Sequence, residues 1–177
     1  MVTKTIFAGF GGQGILSMGL NLAQAAMLED KSVTYLPAYG AEMRGGTANC
    51  TVAISNEEIA SPVASSPEFL VAMNWPSLVR FQNQVKSGGV FFINSSLMEA
   101  NVSSREDIDI VEVPANEMAE DLGNLRCANM VMLGAFTKRS KVVSLPTLIK
   151  GLEESFKKKP KLIGLNTKAL TNGYELF

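Results

Sequence analysis

At 177 residues and 46% hydrophobic content, the chain is long enough to bury one core, and its formal net charge of -1 gives no reason to expect a nucleic acid or an anionic membrane as partner. It has no histidine and only two cysteines, Cys50 and Cys127, which excludes Ser–His and Cys–His catalytic pairs and any cysteine-ligated cluster built by this chain alone. Since it shows neither an apolar run of ~18 residues nor a signal-peptide pattern, we expect a cytoplasmic protein with reduced core thiols.

The first half of the chain alternates between strand and helix patterns. A β-type run at residues 4–8 leads into the glycine-rich sequence GFGGQG at residues 9–14, and a helix pattern follows at residues 14–29. The wide apolar arc of this helix predicts burial on more than one side. A second strand is predicted at residues 32–36, ended by Pro37, and the alternating segment 47–55 predicts a third strand with two unlike faces.

The second half continues the alternation. The apolar run at residues 69–73 predicts a buried parallel strand, and Pro76 falls in the first turn of a helix that ends near residue 84. Further strands are predicted at residues 90–93 and 109–113, and further helices at residues 115–121, 129–138, 146–157 and 162–170. We therefore predict the α/β fold class: a single three-layer α/β/α domain, residues 1–177, around a mainly parallel sheet with a glycine-rich loop after strand 1.

The glycine-rich loop has the spacing G-x-G-x-x-G between a strand and a helix, with glycines at Gly9, Gly11 and Gly14. Glycines let the backbone approach a ligand, and the free N–H groups at a helix start favour an anion, so a dinucleotide site is one interpretation. A dinucleotide site needs an acidic residue at the end of the second strand. This sequence has none there, and the first carboxylate after that strand is Glu42. An apolar pair also replaces the Lys-Ser/Thr of a nucleotide P-loop. A loop that contacts a phosphate or a partner chain, and glycines that only pack strand against helix, both stay open.

The sequence YGAEMRGG at residues 39–46 is the least generic segment of the chain. It places Glu42 two residues before Arg44, among three glycines and Tyr39. On a solvated turn such an ion pair contributes little stability, whereas an arginine beside two glycines can bind a phosphate or a carboxylate through two hydrogen bonds. Because the segment follows strand 2 of a parallel sheet, we expect it at the same edge as the glycine-rich loop.

Four segments stand in an order that is typical of one family. They are GFGGQGIL at residues 9–16, YGAEMRGGTANC at 39–50, AMN and PSL within 72–78, and ANMVMLG at 128–134. Together they closely resemble the gamma subunit, or gamma domain, of 2-oxoacid:ferredoxin oxidoreductases, which include 2-oxoglutarate, pyruvate and 2-ketoisovalerate enzymes. The likeness covers residues 5–140, extends loosely beyond them, and is greatest to the 2-oxoglutarate branch.

The resemblance implies a multisubunit enzyme that converts a 2-oxoacid, with 2-oxoglutarate favoured, and coenzyme A into acyl-CoA and CO₂ and passes the electrons to ferredoxin. It assigns thiamine diphosphate, Mg²⁺ and [4Fe–4S] clusters mainly to alpha, beta and delta-type partner subunits. It further implies that this chain packs on the catalytic subunits, helps to bind coenzyme A, holds no cofactor by itself and is inactive alone. The absence of a GDG…N thiamine motif from the sequence agrees with this division.

The resemblance also indicates which residues lie at the edge that faces coenzyme A or another subunit. They are Gly9, Gly11, Gly12, Gln13, Gly14, Tyr39, Glu42, Arg44, Gly45, Gly46 and Asn129. No residue is predicted to be catalytic or to bind a metal. An alternative function is a stand-alone nucleotide-binding or sensing module that uses the glycine-rich loop, and a weaker one is a purely structural assembly subunit.

The predicted helix at residues 129–138 has no polar face over residues 130–136. A helix that is apolar all round must be enclosed by other elements. The enclosure is either inside this domain or at a subunit boundary, and the sequence leaves both possibilities open.

Overall fold

The computed structural model describes residues 2–39, 46–99 and 105–177, with the backbone alone at Tyr39. The strands of these ranges are β1 (Thr3–Phe10), β2 (Ser32–Tyr39), β3 (Thr47–Ser55), β4 (Phe69–Ala72), β5 (Val90–Asn94) and β6 (Asp109–Val113). The α-helices are α1 (Ile15–Leu28), α2 (Trp75–Phe81), α3 (Ala115–Asp121), α4 (Ala128–Ser140), α5 (Leu145–Ser155) and α6 (Ile163–Glu175). Within the described ranges, none of these helices combines the length and the apolarity that crossing a membrane requires.

The strands form one mixed sheet in the order β2-β3-β1-β4-β5-β6. β4 is parallel to β1, β5 to β4 and β6 to β5, whereas β3 is antiparallel to both of its neighbours, β1 and β2. Too few residues separate β2 from β3 for the helical crossover of about a dozen or more residues that a parallel pair needs, so the chain reverses there. The predicted α/β fold class with helices on both faces is confirmed, and the antiparallel β3 is a departure that the sequence pattern did not indicate.

The predicted end of the second strand at residue 36 was wrong. β2 continues through Pro37 to Tyr39 and pairs along its whole length with β3, with Pro37 opposite Cys50. A proline has no N–H to donate, which excludes it from central strands but not from a strand with one neighbour. β2 is at the end of the sheet, where a proline is tolerated.

Two hydrophobic cores lie on opposite faces of the sheet. The larger lies under α1, α3, α4, α5 and α6, and its centre is Phe136 of α4. The ring of Phe136 packs edge-on against Phe7, Phe69 and Phe92, at centroid distances of 5.6, 5.5 and 5.2 Å, the arrangement that aromatic pairs prefer. The smaller core lies under α2. The three layers are therefore unequal, with one face of the sheet much more thickly covered than the other.

Helix α4 is enclosed, as the sequence predicts, and the enclosure is achieved inside this chain. Every residue from Ala128 to Thr137 is buried. α4 crosses α6 closely at two glycines, where a Cβ at Gly134 would overlap the backbone of Leu170 and a Cβ at Gly173 would overlap the backbone of Val131. The apolar pattern of α4 therefore gives no separate evidence for a subunit boundary.

The two cysteines are core residues. Cys50 and Cys127 are both buried and free, so the prediction of two unpaired core thiols is confirmed. Burial raises the pKa of the Cys50 thiol to about 12, because a thiolate would be poorly solvated there. Neither thiol is placed to act as a nucleophile at the surface.

A polar contact joins the segment after α1 to the segment after α4. Glu29 accepts hydrogen bonds from the Lys31 ammonium group at 2.8 Å and from the backbone N–H of Ser144 at 2.7 Å. Lys31 also donates to the carbonyl oxygen of Val142 at 2.5 Å. Partial burial raises the pKa of Glu29, but the hydrogen bonds from Lys31 and Ser144 outweigh it and lower that pKa from 4.5 to about 2.

Replacing Glu29 with glutamine is expected to lower the free energy of unfolding at pH 7 by about 1–2 kcal/mol, since hydrogen bonds to a charged group are lost at a partly exposed site. A carboxyl whose pKa is depressed by folding stabilises the protein above its unfolded value of 4.5 and loses that contribution as the pH falls toward 2. Urea unfolding of both proteins between pH 7 and pH 2 is the measurement. An equal loss at pH 7 and at pH 2 would show that the charge of Glu29 does not stabilise the fold.

Candidate functional site

The glycine-rich loop connects β1 to α1 at the carboxyl edge of the sheet. Gly12 and Gly14 have positive φ angles of 97° and 73°, which residues other than glycine rarely adopt. The N–H of Gly11 donates to the carbonyl oxygen of Gly46 at 2.9 Å, which holds the loop against the start of β3. A Cβ at Gly9 would collide with the side chains of Ile15 and Gln13. These contacts serve the packing of strand against helix, as one interpretation of the sequence holds, whereas a Cβ at Gly12 would meet no described atom within 4 Å.

Gln13 fixes the loop through its amide group. Its Oε1 accepts hydrogen bonds from the N–H of Phe10 at 2.7 Å and from Nδ2 of Asn74 at 2.8 Å. Asn74 follows β4, and its Oδ1 accepts from the N–H of Ser77, so the same side chain caps α2. One amide pair thus ties the ends of β1 and β4 to the start of α2.

Asn94, the last residue of β5, extends this arrangement to the next strand. It is fully buried, and its Nδ2 donates to the carbonyl oxygen of Met73 at 3.2 Å and to Oδ1 of Asn116 at 2.9 Å. Its Oδ1 accepts from the N–H of Ala115, the first residue of α3. The carboxyl ends of β1, β4 and β5 are therefore connected by side-chain amides.

Asn129 lies across the loop at the beginning of α4. Its Nδ2 donates to the carbonyl oxygen of Gly14 at 3.2 Å, and the two residues are so close that a Cβ at Gly14 would overlap the amide. Asn129 is 6% exposed, and its Oδ1 is buried without a hydrogen-bond partner among the described residues. A buried polar atom without a hydrogen-bond partner is uncommon in folded proteins.

A cavity of about 330 Å³ opens between these elements. Its polar lining is Gln13, Asn116, Arg126 and Asn129, and Gly12 and Ala128 lie between them. Its apolar lining is Met73, Leu97 and Leu125. Such a volume is at the small end of ligand pockets in proteins.

The electrostatics of this cavity favour an anion. Among the described residues that line it, Arg126 is the one charged side chain. Within the described part of the chain, no side chain caps the first turn of α1, which begins beside the cavity. The start of α4 also lies there, but it continues a short 3₁₀ turn at Leu125–Cys127, and the N–H of Ala128 already donates to the carbonyl oxygen of Leu125. Free N–H groups at helix starts and an arginine both attract phosphate or carboxylate groups. The described lining contains no carboxylate, hydroxyl or thiol, so it can bind a ligand but offers no nucleophile or general base.

The sequence-predicted site residues are divided by the fold. Gly12, Gln13 and Asn129 line the cavity, with Gly9, Gly11 and Gly14 directly behind it. Gly46 contacts Gly11, and the backbone of Tyr39 pairs with Ala48 at the same edge of the sheet, but both lie toward β3 and β2, whereas the cavity lies toward β4 and β5. Glu42, Arg44 and Gly45 lie outside the described residues.

Four further residues of this edge were not predicted: Asn74, Asn94, Asn116 and Arg126. The signal for two of them was present, because Asn74 and Asn94 stand at or directly after the ends of predicted parallel strands, where α/β folds place their sites. Asn116 and Arg126 follow no comparable pattern in the sequence.

Comparisons with known proteins agree on one family. The model of the family described as "Pyruvate ferredoxin/flavodoxin oxidoreductase" matches residues 4–176. Ketoisovalerate oxidoreductase subunit VorA of Methanothermobacter marburgensis is 42% identical over 175 residues, which cover 94% of this chain and 34% of the relative. The chain therefore spans about a third of the length of that curated relative.

Two solved structures are similar over nearly the whole chain. The gamma subunit of a keto/oxoacid ferredoxin oxidoreductase from Geobacter sulfurreducens is 27% identical, with a TM-score of 0.81 and coverage of 98% of this chain and 96% of that one. The 2-oxoglutarate:ferredoxin oxidoreductase from Magnetococcus marinus with 2-oxoglutarate, coenzyme A and succinyl-CoA bound is 25% identical, with a TM-score of 0.90. This second likeness covers 99% of this chain and 31% of the other.

Proposed function

Because the chain belongs to the pyruvate ferredoxin/flavodoxin oxidoreductase family, we propose that it is the gamma-type component of a multisubunit 2-oxoacid:ferredoxin oxidoreductase and contributes to the binding of coenzyme A. In this role it is a single domain that packs on alpha, beta and delta-type subunits in the cytoplasm. The observation that carries the proposal is the cavity beside Arg126, whose described lining attracts anions and offers no group for bond breaking. Such a site binds a substrate for chemistry that occurs on another chain.

The proposed reaction is the oxidative decarboxylation of a 2-oxoacid with coenzyme A to acyl-CoA and CO₂, with the electrons passed to ferredoxin. Fe–S clusters are held by sets of cysteines, whereas this sequence contains only Cys50 and Cys127, which are both buried. Within the described residues, no group of three His, Cys, Asp or Glu side chains could hold a metal ion. These residues do not fit the cofactors of the reaction, and we assign thiamine diphosphate, Mg²⁺ and the [4Fe–4S] clusters to the partner subunits.

Coenzyme A is proposed as the ligand for two reasons. It carries several phosphate groups, which match the arginine and the start of α1 beside the cavity. The structure from Magnetococcus marinus, which shares this fold over 99% of the chain, contains coenzyme A and succinyl-CoA. Gly9, Gly11, Gly12, Gln13, Gly14, Gly46 and Asn129, together with Tyr39, Glu42, Arg44 and Gly45, remain the residues proposed to face coenzyme A or a partner subunit.

For the 2-oxoacid, the sequence motifs favour 2-oxoglutarate. The 42% identity to a ketoisovalerate oxidoreductase subunit favours ketoisovalerate as the second candidate. The described lining of the cavity does not distinguish between them, since a substrate that reacts on another chain is selected there. Comparing the turnover of 2-oxoglutarate, ketoisovalerate and pyruvate by the purified complex decides between the candidates.

The sheet order argues against a stand-alone dinucleotide-binding module. In the dinucleotide fold, the strand beside β1 on the side of β2 is parallel to it, and an acidic residue at its end holds the ribose. Here the antiparallel β3 stands between β1 and β2. The glycine-rich loop is therefore present without the neighbouring strand that a nicotinamide or flavin dinucleotide requires.

The division of labour is tested by comparing the purified chain with the complex that contains it. The chain alone is expected to lack Fe–S absorption and to oxidise no 2-oxoacid with a dye acceptor. The complex is expected to show Fe–S absorption and, with coenzyme A present, to oxidise the 2-oxoacid. Calorimetry of each sample with coenzyme A, NAD and FAD accompanies the assay. Turnover by the lone chain, or micromolar binding of NAD or FAD without binding of coenzyme A, would contradict the proposed function.

A further inference from the structure

We infer that two copies of this chain associate through the outer stripe of α1, which consists of Leu16, Leu20, Ala23 and Met27, with the two helices antiparallel across a two-fold axis. No residue of the stripe lines the cavity described above, and the inference does not depend on the proposed binding of coenzyme A. It rests on the exposure of the stripe, on the absence of charge around it and on its symmetric spacing.

This chain covers two sides of α1 and leaves a third side exposed. The sheet covers one side, where Met18 is fully buried. Helix α5 covers a second side, where a Cβ at Gly151 would contact the backbone of Ala25. On the third side, Leu20 is 43% exposed and Met27 is 64% exposed. Exposed apolar side chains that form one continuous patch are typical of a protein–protein contact.

The surface around the stripe carries no charge. Among the α-helices of the described ranges, α1 is the one without a charged residue, and β2 has none either. β2 lies beside the stripe, since the Tyr35 hydroxyl donates to the carbonyl oxygen of Leu16 at 3.1 Å. At the other end of the sheet, β6 carries exposed Asp109 and Glu112, and such charges protect an edge strand from association, whereas β2 has Pro37 alone. Because a two-fold axis brings identical patches together, an uncharged side can face its own copy without repulsion.

The spacing of the stripe is the same in both directions along the helix. Its residues are separated by four, three and four positions, as in helices that pair along one seam. Leu16 is the second residue of α1 and Met27 is the second from its end, so the stripe is centred on the middle of the helix. A two-fold axis there places Leu16 opposite Met27 of the second copy and Leu20 opposite Ala23 of the second copy. A large side chain then meets a small one at the centre, which lets the helices approach closely.

The size of this side is suited to a dimer. Helix α1 is ~21 Å long and ~10 Å wide, and β2 adds a strand ~26 Å long beside it. Together they offer several hundred Å² per copy, on the scale of the ~800 Å² per partner that stable interfaces bury. A different protein would be expected to match charges across the contact, and this side has none to match. A second copy is therefore the partner that the stripe fits.

The test is sedimentation velocity of the purified full chain at micromolar concentration. The wild type is expected at twice the 19.0 kDa mass of one chain. Leu20→Glu and Met27→Glu are each expected to weaken the dimer at least a hundredfold and to give a monomer, because the contact would bury carboxylates among apolar groups. The matched control is Val79→Glu, at a 46% exposed position of α2 on the opposite face of the sheet, which should leave the dimer intact.

A combined variant tests the antiparallel arrangement of the two helices. Adding Leu16→Lys to Met27→Glu should restore the dimer, because the two-fold axis places residue 16 of one copy opposite residue 27 of the other and opposite charges then meet. Within one helix these two positions are ~16 Å apart and cannot pair with each other.

A wild-type monomer, or a dimer that both Leu20→Glu and Met27→Glu leave intact, would overturn the inference. A combined variant that stays monomeric would overturn the antiparallel arrangement. Urea unfolding of each variant, compared with the wild type at a dilution where both are monomeric, separates loss of the contact from loss of the fold. The kinetics of the complex with coenzyme A test the proposed function independently of these outcomes.

Discussion

Replacing Gly134 with alanine is expected to destabilise the fold by about 3 kcal/mol, because the added Cβ would overlap the backbone oxygen of Leu170 where α4 crosses α6. Rotating a side chain cannot relieve an overlap between a Cβ and a backbone atom, so the two helices must separate. Their separation would loosen the larger core around Phe136. Gly173→Ala is expected to have a similar effect, since its Cβ would overlap Val131 from the other side of the same crossing.

The control for this prediction lies in the same helix. Apart from its chain neighbours and the backbone of its own helix, Gly164 in α6 has no described atom within 4 Å of the position where a Cβ would stand. Gly164→Ala should therefore be neutral or stabilising by up to ~1 kcal/mol, as expected for a glycine replaced by alanine in a helix. Urea unfolding of the three variants is the measurement. If Gly134→Ala and Gly164→Ala have the same stability, the close approach of α4 and α6 does not explain why residue 134 is a glycine.

Replacing Gly14 with alanine is expected to cost about 2–3 kcal/mol of stability and to weaken coenzyme A binding by the complex. Part of this loss of stability arises because residue 14 has a left-handed backbone conformation, φ 73°, which is about 1 kcal/mol less favourable for alanine than for glycine. The rest is the displacement of Asn129, because the new Cβ would overlap its amide and break its hydrogen bond to Gly14. The free energy of unfolding and the KM for coenzyme A are the two readouts.

Gly12 provides the matched control for this second prediction. It also has a positive φ, 97°, but a Cβ there meets no described atom within 4 Å. Gly12→Ala should therefore cost only the backbone strain, about 1 kcal/mol, and leave Asn129 in place. Equal losses of stability for Gly12→Ala and Gly14→Ala would show that the contact with Asn129 contributes nothing.

The regular elements could be predicted from the sequence because each one depends on its own pattern. The bounds of β3, β6 and α3 agree with the prediction, and those of the other helices differ mostly at their ends, with α6 extending five residues further, to Glu175 rather than residue 170. The direction of β3 could not be predicted from its alternating pattern, since that pattern fixes which side chains face each core but not which strand is the neighbour. The end of β2 could not be predicted for the same reason: a proline is tolerated at the edge of a sheet but not in its centre, and the sequence does not show which strand is at the edge.

The candidate site could be predicted in part. The glycine-rich loop has a recognisable spacing, and Asn129 was predicted as a site residue because it belongs to the family-like segment at residues 128–134. Asn116 and Arg126 are ordinary polar residues in the sequence and become part of a cavity only because α3 and α4 bring them to the end of β5. Contacts of this kind join distant segments, so no local pattern indicates them.

The amide groups of the carboxyl edge have a consequence for the acid–base behaviour of the cavity. Gln13, Asn74, Asn94 and Asn129 hold the ends of three strands and the helix starts around them in place with uncharged groups. Amides neither gain nor lose protons over the range in which proteins are folded, and arginine side chains stay protonated. The described lining therefore keeps one charge state from acidic to alkaline solution. If the proposed function is right, a change of activity with pH is expected to come from groups outside this lining.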